Sequence, residues 1–259
     1  MSENFDGRTI AITGAAGGIG RLLSRYFAEA GAALALTDRS PAVMDFATEL
    51  QEEGYAAHAA VADIGSAAAV AKAFAGFPEI HILINNAGGS KHPTLAGTDP
   101  ASWQAEVNAN LNGAYNCAHA VLPQMVARRG GSIVNVGSVN ALHALGDPAY
   151  SAGKAGMIAM TKAIALEYGR YNIRANIVLP GTVRTPLWDE RSAKDPNVLK
   201  VLERWYPLGR IVEPAEVARV IAFLASDAAS AVTGVALPVD CGLSAGNIVM
   251  ARELTLEEF

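Results

Sequence analysis

The stretch Thr9-Ile10-Ala11-Ile12-Thr13-Gly14-Ala15-Ala16-Gly17-Gly18-Ile19-Gly20 decides the fold. Its first five residues are uncharged and rich in β-branched side chains, so they read as a strand. Glycines crowd the next seven positions, and from Ile19 to Ala30 the apolar residues recur at helical spacing. A strand that breaks into a glycine-rich turn and then a helix lets the backbone approach a phosphate, whose charge the helix N-terminus favours. Alone, such a turn is a weak signal; its surroundings strengthen it. A second apolar run, Ala33 to Thr37, ends at Asp38, 18 residues past Gly20. A carboxylate there can accept both hydroxyls of an adenosine ribose and repels a 2′-phosphate. Turn and acid together point to a dinucleotide, with NAD preferred over NADP. The other reading of Asp38 is a helix cap or turn residue. Arg39 works against the preference, because a guanidinium accommodates a 2′-phosphate, but Ala15 and Ala16 add no second cation.

The same alternation continues downstream. Pro41 opens a helical segment through Glu53, residues 56–62 read as a third strand, and 66–76 as an Ala-rich helix. Residues 80–84 form a fourth strand, about 102–129 a long helix, 132–136 a strand, about 150–169 a helix, and 173–179 a strand. Strands alternating with helices of ten or more residues imply a parallel sheet covered on both faces. The least regular segment, about 181–213, contains Pro186, Pro196 and Pro207, and a helix starts near Pro214. A loop that long inside a compact domain reads as a lid over a site. No linker or composition break divides residues 1–259, so a single doubly wound α/β domain is expected, with about seven strands.

Composition removes several function classes. Hydrophobic residues make up 51% of the 259 and charged residues 17%, enough for a large core. With 20 Lys and Arg against 25 Asp and Glu, the net charge of −5 argues against nucleic-acid or anionic-membrane partners. Cys117 and Cys241 are far apart and outside any CxxC spacing, which speaks against a disulfide framework and a cysteine-rich zinc site. The acidic start lacks the order of a secretion signal, and no run reaches the roughly 18 apolar residues of a membrane span. A cytoplasmic location and no metal are the expectations.

Tyr150 and Lys154 are four apart in a helical stretch and so share a face. An ammonium one turn away favours the phenolate of a tyrosine; the bland reading is an exposed helical pair. Ser138 follows the strand ending at Val136 and sits at the carboxyl edge of the sheet, where ligands of such folds bind.

These motifs and their order resemble the short-chain dehydrogenase/reductase family over nearly the whole chain. The set is TGAAGGIG at 13–20, Asp63-Ile64, Asn85-Asn86-Ala87-Gly88, Asn110 in NANLNG, Ser138, Tyr150-Ser151-Ala152-Gly153-Lys154, Pro180-Gly181 and Asp240-Cys241-Gly242. The resemblance implies a Rossmann-type fold and catalysis by Asn110, Ser138, Tyr150 and Lys154. Tyr150 would be the general acid/base and Ser138 would hold the substrate oxygen. Lys154 would bind the nicotinamide ribose and lower the Tyr150 pKa, and Asn110 would hold a water that passes the proton to solvent. Gly14, Gly18, Ile19, Gly20, Asp38 and Arg39 would meet the cofactor, as would Asp63 and Ile64 at the adenine. Asn86, Ala87 and Gly88 would line its ribose, and Pro180, Gly181, Val183 and Thr185 the nicotinamide side. His81, where the family often has Asp, reads as structural, and Cys241, in place of a frequent Gly, as a small buried thiol.

Substrate residues are expected after Gly88, after Ser138 and in the lid: Lys91, His92, Asn140, His143, Arg184 and Trp188, with Asp189, Glu190, Arg191, Trp205 and Tyr206 nearby. This polar set with aromatic platforms suits a polyhydroxylated ligand, and the GTVRTPLW and RWYPLGR runs resemble the family's sugar and polyol dehydrogenases. The cations hint at a sugar acid or sulfonated sugar; the bland reading makes them solvated lid charges. A reductase of 3-oxoacyl thioesters is the alternative, and a non-catalytic dinucleotide sensor a remote one. The resemblance also implies a homodimer or homotetramer through the helices at 102–129 and 150–169, whose Ala114, Ala118, Ala152, Ala155 and Ala159 would permit close packing. The extension at about 243–259 carries Ile248, Val249, Met250, Leu254, Leu256 and Phe259, and is expected to pack down, either on the chain's own lid near Trp188 and Trp205 or across a subunit interface, with Phe259 as its anchor; the bland reading is a frayed terminus.

Overall fold

The computed structural model describes residues 4–257. Strand β1 (Thr9–Thr13) is buried throughout and lies inside a seven-stranded sheet, third in its order. The other strands of the sheet are β2 (Ala33–Asp38), β3 (Ala57–Val61), β4 (Ile82–Asn85), β5 (Gly131–Val136), β6 (Ile173–Pro180) and β7 (Ala236–Val239), and β1 pairs with β2 and β4. The order is β3-β2-β1-β4-β5-β6-β7, and each adjacent pair runs parallel. The order reverses between β1 and β4, and the crevice outside the carboxyl ends of the strands at that point is where such sheets bind ligands.

Period-two alternation sorts the core into two layers. Ile10 and Ile12, Leu34 and Leu36, Ile82 and Ile84 and Val134 face one side. There they meet Leu23 and Phe27 of α1 (Gly18–Glu29), Phe46 and Leu50 of α2 (Ala42–Glu52), and Val217 and Ile221 of α9 (Pro214–Ala225). Ala11, Ala35, Leu83, Ile133 and Ala175 face the other side, against Val70 and Phe74 of α3 (Ala67–Ala75), Cys117, Val121 and Met125 of α5 (Gly113–Arg128), and Ile164 of α6 (Pro148–Tyr168). The helix starts follow their sequence signals. Ser66 caps α3, Asp99 caps α4 (Pro100–Val107), and Glu213 with Glu216 forms a capping box on α9.

Three expectations need correction. The long helix at 102–129 is two α-helices joined by a π-helical turn, Asn108–Asn112. Its cause is local: the Asn110 carboxamide donates to the Glu106 carbonyl at 2.9 Å, competing for the acceptor an α-helical amide would use. The segment 181–213 is more regular than its prolines suggest. It holds α7 (Pro186–Lys194) and α8 (Val198–Glu203), with Pro186 in the first turn of α7, where its missing N–H is harmless. The ends of this excursion are stapled by a parallel bridge between Val183 and Val212. Finally, Ala114 and Ala118 are buried in the chain's own core, so only Ala152, Ala155 and Ala159 are exposed for packing against another molecule.

The extension forms α10 (Ile248–Thr255), capped by Asn247, with Met250, Leu254 and Leu256 exposed. Ile248 and Val249 are half-buried, so within the chain itself the tail buries its apolar side chains only in part, which leaves packing across a subunit interface as the open alternative; the expected anchor, Phe259, lies outside the described residues.

Candidate active site

The glycine-rich turn is fixed by three strand ends. The Ala15 amide donates to the Thr37 carbonyl at 3.2 Å, and the Ala16 amide to Asp38 Oδ2 at 3.0 Å. The Thr13 hydroxyl accepts from the Asn86 and Ala87 amides at 3.1 and 3.0 Å, while Asn86 Nδ2 returns a bond to the Thr13 carbonyl. Gly14 takes a φ of +67°, and a Cβ there would stand 2.8 Å from the Ala87 Cα. A Cβ on Gly20 would collide with the Gly14 carbonyl at 2.0 Å, so this glycine serves close packing of the helix against the turn. Helix α1 begins with no side-chain cap and no acid in its first turn. Its orphan amides therefore remain for an anion.

These residues open onto a cleft of about 1000 Å³. Gly14, Gly18, Ile19, Gly20, Asp38, Arg39, Asp63, Ile64, Asn86, Ala87, Gly88 and Thr185 line it, as do Lys91 and His92. Asp38 serves the turn reading as well as the ligand reading. Besides the Ala16 amide, it accepts from the Ser40 amide at 2.9 Å, which fixes its carboxylate at the cleft wall. Arg39 is exposed on the same wall. A dinucleotide fits these residues: uncapped helix amides for a pyrophosphate, glycines that leave room for it, and a carboxylate for ribose hydroxyls.

A second cavity of about 230 Å³ shares Ile19, Asn86 and Gly88 with the cleft and adds Ser138, Tyr150, Lys154, Pro180, Gly181 and Val183. Sheet edge and helix α6 thus bring together three of the four expected catalytic residues. Tyr150 and Ser138 line this cavity together. Ser138 accepts from the Asn140 amide at 3.2 Å and lies 3.3 Å from Asn140 Oδ1. Lys154 is 2% exposed; its Nζ donates to the Val136 carbonyl at 2.8 Å and stands 5.5 Å from the Tyr150 ring centre. Burial brings the Lys154 pKa down to about 8. The Tyr150 pKa is pushed up by burial, and further by the nearby Asp147 carboxylate, against the pull of the Ser138 hydroxyl. In the chain alone burial dominates and holds the Tyr150 pKa above its ordinary value, the opposite of the depression expected from Lys154.

Asn110 lies beneath this cavity, fully buried. Its carboxamide accepts from the Gly89 amide at 3.0 Å and donates to the Gly89 and Glu106 carbonyls at 2.8 and 2.9 Å. These bonds hold the Gly88-Gly89 turn in place. Asn140, His143, Arg184 and Trp188 do not line either cavity. Asn140 instead braces Ser138 and reaches toward Gly146 and Ser151; Arg184 pairs with Glu213 at 3.4 Å; and the Arg191 guanidinium lies 4.6 Å from the Trp188 ring centre. Tyr206 is buried and accepts the Thr182 amide at 3.0 Å, bracing the turn after β6. The side chains of Asp189 and Glu190 lie outside the described part. His81 is structural as read: its Nδ1 accepts the Thr9 amide at 3.0 Å. Cys241 takes a φ of +51°, which explains why glycine suits that turn. Among the described residues, no group of three or more His, Cys, Asp or Glu side chains could hold a metal, and no helix is long and apolar enough to cross a membrane.

Sequence reasoning missed Glu106. It is 7% exposed, and its Oε1 accepts from the Lys91 amide at 2.9 Å, the His92 amide at 3.2 Å and His92 Nδ1 at 2.7 Å.

A parallel sheet with a dinucleotide cleft at its switch point and a Ser-Tyr-Lys cluster at its carboxyl edge defines a nicotinamide-dependent oxidoreductase class. The chain belongs to the short-chain dehydrogenase/reductase family. Residues 14–244 match the family model described as enoyl-(acyl carrier protein) reductase. An uncharacterized oxidoreductase of Schizosaccharomyces pombe is 42% identical over 97% of this chain and 96% of its own length. The crystal structure of a short-chain dehydrogenase/reductase from Burkholderia thailandensis superposes with a TM-score of 0.92 at 50% identity, covering 97% of this chain and 98% of that one. A gluconate 5-dehydrogenase from Burkholderia cenocepacia, in complex with NADP and tartrate, gives 0.87 at 36% identity over 94% and 97%. A 3-oxoacyl-[acyl-carrier protein] reductase from Brucella melitensis with bound NAD gives 0.83 at 33% over 92% and 91%.

Proposed function

We propose that the chain is an NAD-dependent dehydrogenase of a secondary alcohol, most fittingly a sugar acid or related anionic sugar or polyol, working as a cytoplasmic homo-oligomer. The observation that carries this reading is the Ser138–Tyr150–Lys154 cluster lining one small cavity that shares residues with the dinucleotide cleft. The nicotinamide, when bound, supplies the hydride acceptor. Ser138, held by Asn140, orients the alcohol oxygen toward Tyr150; the Tyr150 phenolate takes the hydroxyl proton; and the Lys154 ammonium stabilises that phenolate. Asp38 supports NAD, since a 2′-phosphate would meet a carboxylate fixed by two backbone amides. The gluconate dehydrogenase neighbour and the Lys91 ammonium on the cleft wall support an anionic substrate.

A second reading, reduction of a 3-oxoacyl thioester, draws on the exposed Leu95, Leu142 and Leu145 in the loops after β4 and β5, which would suit an acyl chain. One assay separates the two: aldoses, uronic and sulfonated sugars, polyols and 3-oxoacyl thioesters, each with NAD(H) and NADP(H). Turnover of hydroxy acids or polyols with NAD is the expected result. Turnover confined to thioesters with NADPH would replace the proposal with the second reading.

A further inference from the structure

The Ser90–His92 loop is pinned from two sides by carboxylates that play no part in the chemistry derived above. On one side Glu106, in the last turn of α4, gathers the Lys91 and His92 amides and the His92 ring, and its Oε2 lies 3.4 Å from the Ser90 hydroxyl. On the other, that hydroxyl donates to Asp147 Oδ1 at 2.8 Å, and the Asp147 amide donates to the Pro93 carbonyl at 3.0 Å. Burial pushes the Glu106 carboxyl pKa up, but the His92 ring and the two amides more than offset it, leaving it below the ordinary value. An ionised carboxylate only accepts, so the proton between the two side chains sits on His92 Nδ1. Nε2 is then the ring atom left for a ligand, and the ring is half-buried on the cleft wall.

We infer that Glu106 is a positioning residue: its carboxylate fixes the Ser90–His92 loop and the tautomer of His92, and so sets the affinity for an oxygen-rich alcohol that bonds His92 Nε2. This rests on the dehydrogenase reading given above. All three bonds are accepted by Oε1, so Gln keeps the acceptor but loses its charge: each bond to the loop then lacks charge assistance, and a neutral carboxamide no longer dictates which His92 nitrogen carries the proton.

The test uses the full chain with Glu106→Gln, His92→Ala and the double variant. Amide hydrogen exchange over residues 88–97, NADH titration by fluorescence, and steady-state kinetics on the best alcohol from the panel are the readouts. Glu106→Gln is expected to speed loop exchange and raise KM about tenfold, with kcat within about threefold and NADH affinity unchanged. His92→Ala should raise KM similarly while loop exchange stays slow, and the double variant should add no further rise, because both changes remove one interaction. Wild-type exchange in Glu106→Gln, a loosened loop with unchanged KM, or additive KM effects would overturn the inference. Should Glu106→Gln not fold, Ser90→Ala, which leaves the buried carboxylate in place, must loosen the loop and raise KM, or the inference falls. A wild-type chain that turns over no alcohol would sink the dehydrogenase reading, while the exchange result would still decide the role of Glu106 in holding the loop.

Discussion

At the scale of single residues, the site holds two titratable groups whose charged forms burial disfavours. Tyr150 resists becoming a phenolate, and Lys154 resists remaining an ammonium, yet alcohol oxidation needs both charges at once. Tyr150→Phe keeps the packing ring and loses the proton acceptor. Its kcat is expected to fall by about 10²–10⁴ with NADH affinity retained, which stopped-flow and fluorescence titration would check. Lys154 gives a pH prediction whose sign is fixed. The unfolded chain holds the proton up to about 10.5, whereas the folded chain releases it at about 8. Between those values the unfolded state binds more protons, so stability without cofactor rises with pH, by up to about 3 kcal/mol. Below about 8 the full penalty is present. Urea unfolding at pH 7.5, 9 and 10.5 should show the rise in the wild type and lose it in Lys154→Met. These residues were legible in sequence because spacing alone puts Tyr150 and Lys154 on one helical face. Glu106 was not, since its partners lie 14 and 15 residues away in an irregular loop that only tertiary packing brings to it. Asn140 was read as a substrate ligand because residue type does not reveal which polar groups are already satisfied by neighbours.

At the scale of elements, the central strands were plain because burial on both faces keeps their runs uncharged and mostly apolar, with short buried exceptions such as Thr13, Asn85, Ser132 and Asn135. Strand β7 escaped for the opposite reason: it is four residues long, mostly half-buried at the sheet edge, and contains Pro238. The π-helical turn was invisible because it depends on one side chain reaching back to a carbonyl, which no periodicity records. Helix α5 offers a sharper test of local physics. Its end is a Schellman motif, with the Gly130 amide bonded to the Met125 carbonyl and the Arg129 amide to the Val126 carbonyl. The left-handed position belongs to Arg129, at φ +57° and ψ +48°, and the glycine stands one residue later. A side chain there costs about 1 kcal/mol or more relative to glycine. Against this, the Arg129 guanidinium makes, among the described residues, one long, exposed bond to the Arg170 carbonyl at 3.3 Å. Arg129→Gly should therefore raise stability by about 1 kcal/mol, and the melting temperature by about 2–4 °C, with kinetics unchanged. A lower melting temperature would show that the guanidinium contact outweighs the backbone strain.

At the scale of the whole molecule, the layered core uses the interior faces of α5 and α6 completely, and what remains outside is apolar where a lone chain would not need it. Along α6 the exposed positions Ala152, Ala155, Ala159, Ala163 and Leu166 recur at helical spacing, with Leu166 86% exposed, and α5 adds the stacked pair Tyr115 and His119. Small residues allow another helix to approach closely, while Leu166 and Tyr115 supply apolar area that water covers unfavourably in a monomer. The stripe is continuous with the helix that carries Tyr150 and Lys154, so association through it would also stiffen the catalytic face. The homo-oligomer proposed for this chain would thus bury α6 against its copy, a two-fold contact in which each residue meets its own equivalent or a near neighbour. Leu166→Glu places like charges across such an axis and removes its largest apolar group. Sedimentation at micromolar concentration should find the wild type as a dimer or tetramer and the variant as a smaller species with a reduced kcat. A wild type that sediments as a monomer, or a variant whose assembly is unaltered, would remove this face from consideration and leave the exposed Met250, Leu254 and Leu256 of α10 as the surface to alter next.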